Sequence, residues 1–180
     1  MQTLTDALTV AVSNWLTGVL GGKAMTIPYS AATSDMRARE EIKKILTRFG
    51  CESIGFMDDN VKHEVLLAFT HRGRQVQLTA SAKGWAQMWL NEKPWTHNRR
   101  STRHDWEQAA LHQGHVAVNS VLRDWIKGQV TAIETGVLSF EAVFMPFMLT
   151  PSGQTVLERI KDTNLLPAPD EPKVVQLPTG

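Results

Sequence analysis

One cysteine and one tyrosine in 180 residues, and no unbroken apolar run, are the first scarcities of the sequence. A bilayer-spanning helix needs about 20 mostly apolar residues. The nearest stretch, Leu4 to Leu20, is interrupted by Asp6, Ser13 and Asn14. It also has no basic residues ahead of it, so it reads as neither a signal peptide nor an anchor, and a cytoplasmic chain without membrane contact is expected. The lone Cys51 excludes an internal disulfide framework and suits a reducing compartment. At the start of a strand it reads as a small buried hydrophobe. P-loop, nucleophile elbow, glycine-rich dinucleotide loop and H-E-x-x-H are all missing, so no cofactor is implied. What remains is 42% hydrophobic and 21% charged residues, enough for one ordinary core.

Acidic residues are scarce in one place. Between Val65 and His104 the cations are Arg72, Arg74, Lys83, Lys93, Arg99, Arg100 and Arg103, against the single acid Glu92. That stretch carries +6 in a chain of net charge +1, leaving −5 for the rest. Such asymmetry is an argument about partners, not about fold.

The periodicities predict an α+β chain. Leu4, Leu8, Val12, Trp15, Leu16 and Val19 recur every three or four residues, giving an N-terminal amphipathic helix closed by Gly21 and Gly22. Residues 1–22 thus form a separate helix that docks on the core or drives homo-oligomerisation. A single α+β domain is expected over 27–161. Ser34 caps a helix ending at Gly50, and strands follow over Cys51–Met57, His63–Thr70 and Gln75–Ser81. The turn between the last two is His71-Arg72-Gly73-Arg74, with glycine supplying a positive φ. Val76, Leu78 and Ala80 alternate with Gln75, Gln77 and Thr79, so one face of the sheet is buried. A helix over Ala82–Asn91 presents Trp85, Met88 and Trp89, and Lys93-Pro94 ends it. His104 to Thr135 reads as one long helix with Trp106, Ala109, Ala110, Ala117, Val121, Trp125 and Ile133 as its apolar repeat. In it, Gly114 and Gly128 each cost about 1 kcal/mol unless they permit close packing. A short apolar helix follows Ser139 and carries Phe140 to Leu149, with Pro146 as a kink or in a first turn. An amphipathic piece over Gln154–Ile160 precedes a disordered proline-rich tail at 162–180. The expected architecture is a three-stranded antiparallel sheet in α-β-β-β-α order, packed by helices, plus the long helix.

This order is shared with the restriction-endonuclease-like nucleases, which need an acid on the second strand and an acid–lysine pair on the third to hold Mg²⁺. Asp58, Asp59 and Glu64 could supply the first acid, but Gln75-Val76-Gln77 stands where the pair is required, and neutral amides cannot carry the metal charge. The three acids read instead as members of a solvated turn. His104, His112 and His115 share the long helix, the last two as surface neighbours, and with Glu107 they could present ligands. No cysteine assists them, and a surface or hydrogen-bonding role fits their spacing better.

Lys83 through Trp106 is the segment with chemistry in it. Trp85, Trp89, Trp95 and Trp106 lie among five cations. Cations with accessible aromatics make the usual single-strand binding surface, neutralising phosphates while bases stack on rings. Trp85, Trp89 and Trp106 read as core and Trp95, in a polar loop, as the stacking residue. The candidate nucleic-acid-binding set is Arg72, Arg74, Lys83, Lys93, Arg99, Arg100 and Arg103 for phosphates, with Trp95. The same pattern also fits an acidic protein or nucleoprotein surface. No catalytic residue is assigned.

The order from Ser34 to Asn91, with Ser81-Ala82-Lys83 opening its second helix, resembles the double-stranded-RNA-binding domain, which aims a lysine cluster at phosphates from that position. Here one lysine is present. The strands and following helix are also similar to single-strand-annealing proteins. Asp124-Trp125-Ile126-Lys127-Gly128-Gln129, Gly136-Val137-Leu138-Ser139-Phe140-Glu141 and Lys93-Pro94-Trp95 resemble small uncharacterised proteins of bacterial phages and prophages, over most of residues 28–160. That resemblance implies a mobile-element setting, in which such proteins bind DNA, assist recombination or block host defence complexes in the manner of anti-CRISPR proteins.

Overall fold

The computed structural model describes residues 27–163 and 165. The expected N-terminal helix, and with it any oligomerisation through it, lies outside the described residues, as does nearly all of the proline-rich tail. Helix α1 spans Asp35–Arg48. The Ser34 hydroxyl accepts the Arg37 N–H at 3.2 Å, and Ala38, Ile42 and Leu46, four apart, form its buried stripe. Strands β1 (Ser53–Asp59), β2 (Glu64–His71) and β3 (Arg74–Ser81) form an antiparallel sheet in that order.

Strand β1 begins two residues later than its sequence predicts, because Cys51 finishes the helix instead. Its N–H donates to the Leu46 carbonyl at 3.0 Å, closing the C-terminus of α1, and the ladder opens with Glu52 N–H on the Thr70 carbonyl at 2.8 Å. The β2–β3 turn is only two residues, Arg72 and Gly73, with φ of 50° and 73°. Positive φ at both positions is the primed turn that matches strand twist. Helix α2 (Ala82–Glu92) follows β3 directly, its first turn capped by the Ser81 hydroxyl.

Helix α3 (Arg103–Glu134) organises the packing. Val118, Leu122, Ile126 and Val130 meet Val65, Leu67 and Phe69 of β2 and Val76 and Leu78 of β3 in one core. Trp85 packs with Ile27 and Ala117 in a smaller cluster on the same helix. The expected stripe on α3 holds in part: Ala110 and Ala117 are buried and Trp125 and Ile133 pack against the core, but Val121 is 40% exposed, while Val116 through Ser120 are five consecutive buried residues. A helix covered on several sides at once, by the sheet and by α1 and α2, has no single apolar stripe to read.

The apolar helix expected from Phe140 also breaks early. Helix α4 spans Phe140–Phe144 and passes into a 3₁₀ turn, Met145–Phe147, with Pro146 in its first turn. Proline has no N–H to continue the α-helical ladder. Met148 and Leu149 then extend along β3, with the Leu149 N–H on the Gln75 carbonyl at 2.9 Å. Helix α5 (Val156–Asp162) completes the described chain. No helix among the described residues is long and apolar enough to cross a membrane.

The sheet face turned away from the helices carries Ser53, Gly55 and Met57 of β1, Leu66, Ala68 and Thr70 of β2, and Gln75, Gln77 and Thr79 of β3. It has neither a lysine or arginine nor an aromatic ring. This face offers no side chain suited to phosphate.

Candidate nucleic-acid interface

Ten residues, 93–102, join α2 to α3, and they are tied at both ends. Lys93 closes α2 with its N–H on the Trp89 carbonyl at 2.9 Å, and its own carbonyl accepts the Trp106 indole N–H at 2.9 Å. The Trp95 indole N–H donates to the Ser101 carbonyl at 2.8 Å. Thr102 and Asp105 then form a reciprocal capping box that starts α3. The Thr102 hydroxyl and backbone N–H hold the Asp105 carboxyl below its ordinary value. Trp89 and Trp106 lie against each other with ring centroids 4.5 Å apart. The Arg99 guanidinium sits 3.9 Å from the Trp106 centroid, and the Lys93 ammonium 5.5 Å from that of Trp89. Each cation–π contact of this exposed kind contributes about 0.5–1 kcal/mol.

The tryptophans thus divide differently from the expectation. Trp85 is core, with its indole N–H on the Pro28 carbonyl at 2.8 Å. Trp89 and Trp106 are instead half-buried, making a surface pair on which the cations rest. They lie at the loop end of α2 and α3, outside the main core cluster, so burial is incomplete. Trp95 is half-buried too, with His97 edge-on at 4.7 Å. Beside it runs a groove of about 330 Å³ between Gln87, Leu90, Pro94, Trp95, Arg103 and Trp106.

The eight candidate residues do not form one patch. Lys93, Arg99 and Arg100 lie in the loop, exposed and without a carboxylate ion-pair partner among the described residues. Arg103 begins α3 and pairs with Glu107 at 2.9 Å. Lys83 is in the first turn of α2, about 15 Å along the helix from Lys93. Arg72 and Arg74 sit at the far end of β3, about 23 Å from Ser81 by strand rise. Arg74 is ion-paired to Glu141. A continuous basic stretch of sequence is divided by a strand and a helix that each carry the chain away.

Of the acids expected in a turn, Asp59 does accept the Val61 and Lys62 N–H groups at 2.9 and 2.8 Å, whereas Asp58 enters a polar network that the sequence did not reveal. Asp58 is not in a solvated turn. It is near the end of β1 on the helix side of the sheet, and both its oxygens accept from Arg39 of α1. Arg39 also donates from Nε to Asn119 Oδ1 at 3.0 Å, and Asn119 Nδ2 donates to the His115 carbonyl at 2.9 Å. Asn119 is fully buried. The Arg39 hydrogen bond holds the Asp58 carboxyl low. Burial, then His63 with its ring 5.9 Å away, pushes the His115 imidazole down. His104 and His112 are exposed. Among the described residues no three His, Cys, Asp or Glu side chains converge on a metal-sized site. Cys51 is half-buried against the core, and burial pushes its thiol up to about 11.

Comparison with protein-family models, with curated proteins and with solved structures gave no match to the chain, so its own residues carry the functional reading.

Proposed function

We propose that this chain acts by binding nucleic acid, non-enzymatically, through the α2–α3 loop. The observation that carries the reading is the state of three cations. Lys93, Arg99 and Arg100 are exposed on a hydrogen-bonded loop, without ion pairs among the described residues, and two of them are held over indole rings. Cations already ordered lose less freedom when they meet phosphates. Trp95 offers a partly exposed ring beside them for a base, and Lys83 extends the positive track along α2. Arg103 joins when its contact with Glu107 is exchanged for a phosphate. Arg72 and Arg74 are too distant to share the site. A mobile-element setting, which the resemblance of residues 93–95, 124–129 and 136–141 to phage and prophage proteins implies, is part of this proposal.

The test is fluorescence anisotropy with labelled single- and double-stranded oligonucleotides. Binding in the micromolar range or tighter, lost in Arg99→Ser/Arg100→Ser, supports the reading. An absence of binding even at low salt removes it. In that event the same loop becomes the bait for a protein partner, such as a host nucleic-acid-handling or anti-phage defence complex, because Arg and Trp are also the residues of interface hot spots.

A further inference from the structure

A cavity of about 480 Å³ opens at the other end of the sheet, between the β2–β3 turn, the last turn of α3 and α4. Its volume lies in the range of about 300–1,000 Å³ typical of small-molecule sites. Phe49, Ile133 and Phe140 provide apolar wall. Between the two phenylalanines stands His71, 7% exposed, its ring stacked on Phe49 at 4.5 Å and tilted against Phe140 at 4.8 Å. Its Nδ1 is buried and has no hydrogen-bond partner among the described residues. Buried polar atoms are rarely left so, because desolvation is then uncompensated. A phenylalanine at this position would complete the aromatic stack with no orphaned nitrogen. The aromatic stack itself gives no reason for the imidazole.

The charges at the mouth point to the kind of ligand. Glu141 is ion-paired to Arg74, and Glu134 to Arg48 at 3.2 Å. Arg72 is left over: no carboxylate forms an ion pair with it among the described residues. The two-residue turn holds it at the rim with φ of 50°. One guanidinium without an ion-pair partner, at the rim of a partly aromatic cavity, suits an anion attached to an apolar body.

We infer that this cavity binds a small molecule carrying a carboxylate or phosphate on an aromatic body. The anion lies on Arg72, and the ring lies against Phe49, Ile133 and Phe140. The site stands apart from the α2–α3 loop, so neither proposal depends on the other.

Benzoate, phenyl phosphate and uncharged benzyl alcohol form a matched set of probes, titrated into the isotope-labelled full chain by NMR. Benzoate, phenyl phosphate or both should shift the Arg72, Gly73 and Phe140 resonances saturably, and benzyl alcohol should not. Response to one probe alone identifies its head group as the natural one. Arg72→Ala should weaken binding about tenfold or more. His71→Phe should melt no lower than the parent, since it removes the orphaned nitrogen and keeps the stack. The inference is overturned if neither anion shifts these resonances, if benzyl alcohol binds as well as they do, or if Arg72→Ala binds unchanged.

Discussion

Asn119 shows how much one side chain can join. It is fully buried in α3, accepts from Arg39 of α1 and donates one turn back along its own helix. Through Arg39 it reaches Asp58 at the end of β1. Replacing it with leucine keeps the volume but leaves the Arg39 Nε unpaired in a partly buried setting. Asn119→Leu should therefore cost about 1–3 kcal/mol, read as a lower urea midpoint with an unchanged slope. The His115 imidazole, beside this network, should make stability depend on pH. Its pKa is lowered from 6.5, first by burial and then by His63, with Arg39 and His112 adding to the effect and Asp58 opposing it. The unfolded chain then takes up the proton at higher pH than the folded one. The contribution is complete above 6.5 and is lost as pH falls below it towards the folded value. Asp58, whose pKa is lowered from 3.8 by Arg39, loses its own contribution only in more acid solution, as pH falls through its folded value. Thermal melts at about pH 7.5 and about pH 5 should differ in the parent and differ less in His115→Gln. None of this was legible in sequence. Asp58 in Asp58-Asp59-Asn60 has the composition of a turn, and only the strand register turns it inward to Arg39. Likewise nothing local marks His71 as buried, since its alternation partners become clear only once β2 is placed.

At the scale of elements, the glycines of α3 separate two effects that are indistinguishable in sequence. A Cβ at Gly114 would stand 2.8 Å from the Ala82 backbone carbonyl, whereas one at Gly128 would meet nothing within 4 Å. Gly128→Ala should gain about 1 kcal/mol from helix propensity alone. Gly114→Ala should destabilise in spite of that gain, because α2 must move away from α3. Chemical denaturation of both variants tests the pair, and equal gains would contradict the close approach. The order of elements and the sheet alternation were readable because caps, turn residues and a period of two are local signals. Part of the α3 stripe and the end of α4 were not. The former is blurred by burial on several sides, and the latter is fixed by Pro146 together with the pairing of Leu149 along β3.

At the scale of the whole molecule, the cations of the central segment separate in space. Among the described residues, the sheet face turned away from the helices bears no cation, the β2–β3 end pairs Arg74 and Arg48 with acids, and only the α2–α3 loop combines cations with indole rings. The excess of positive charge was plain from sequence, but its division into separate groups needed β3 to carry Lys83 away from Arg72 and α2 to carry Lys93 away from Lys83. The most direct test of the account is salt-dependent oligonucleotide binding by the parent, by Arg99→Glu/Arg100→Glu, and by Lys43→Glu/Lys44→Glu on exposed positions of α1. The two variants change net charge equally. Three phosphate contacts predict a roughly 20- to 40-fold loss of affinity between about 50 and about 200 mM salt. The loop variant should lose binding, and the α1 variant should largely keep it. Equal loss in both variants would mean that net charge, not this loop, holds the nucleic acid; absence of binding by the parent at the lower salt would contradict the account outright.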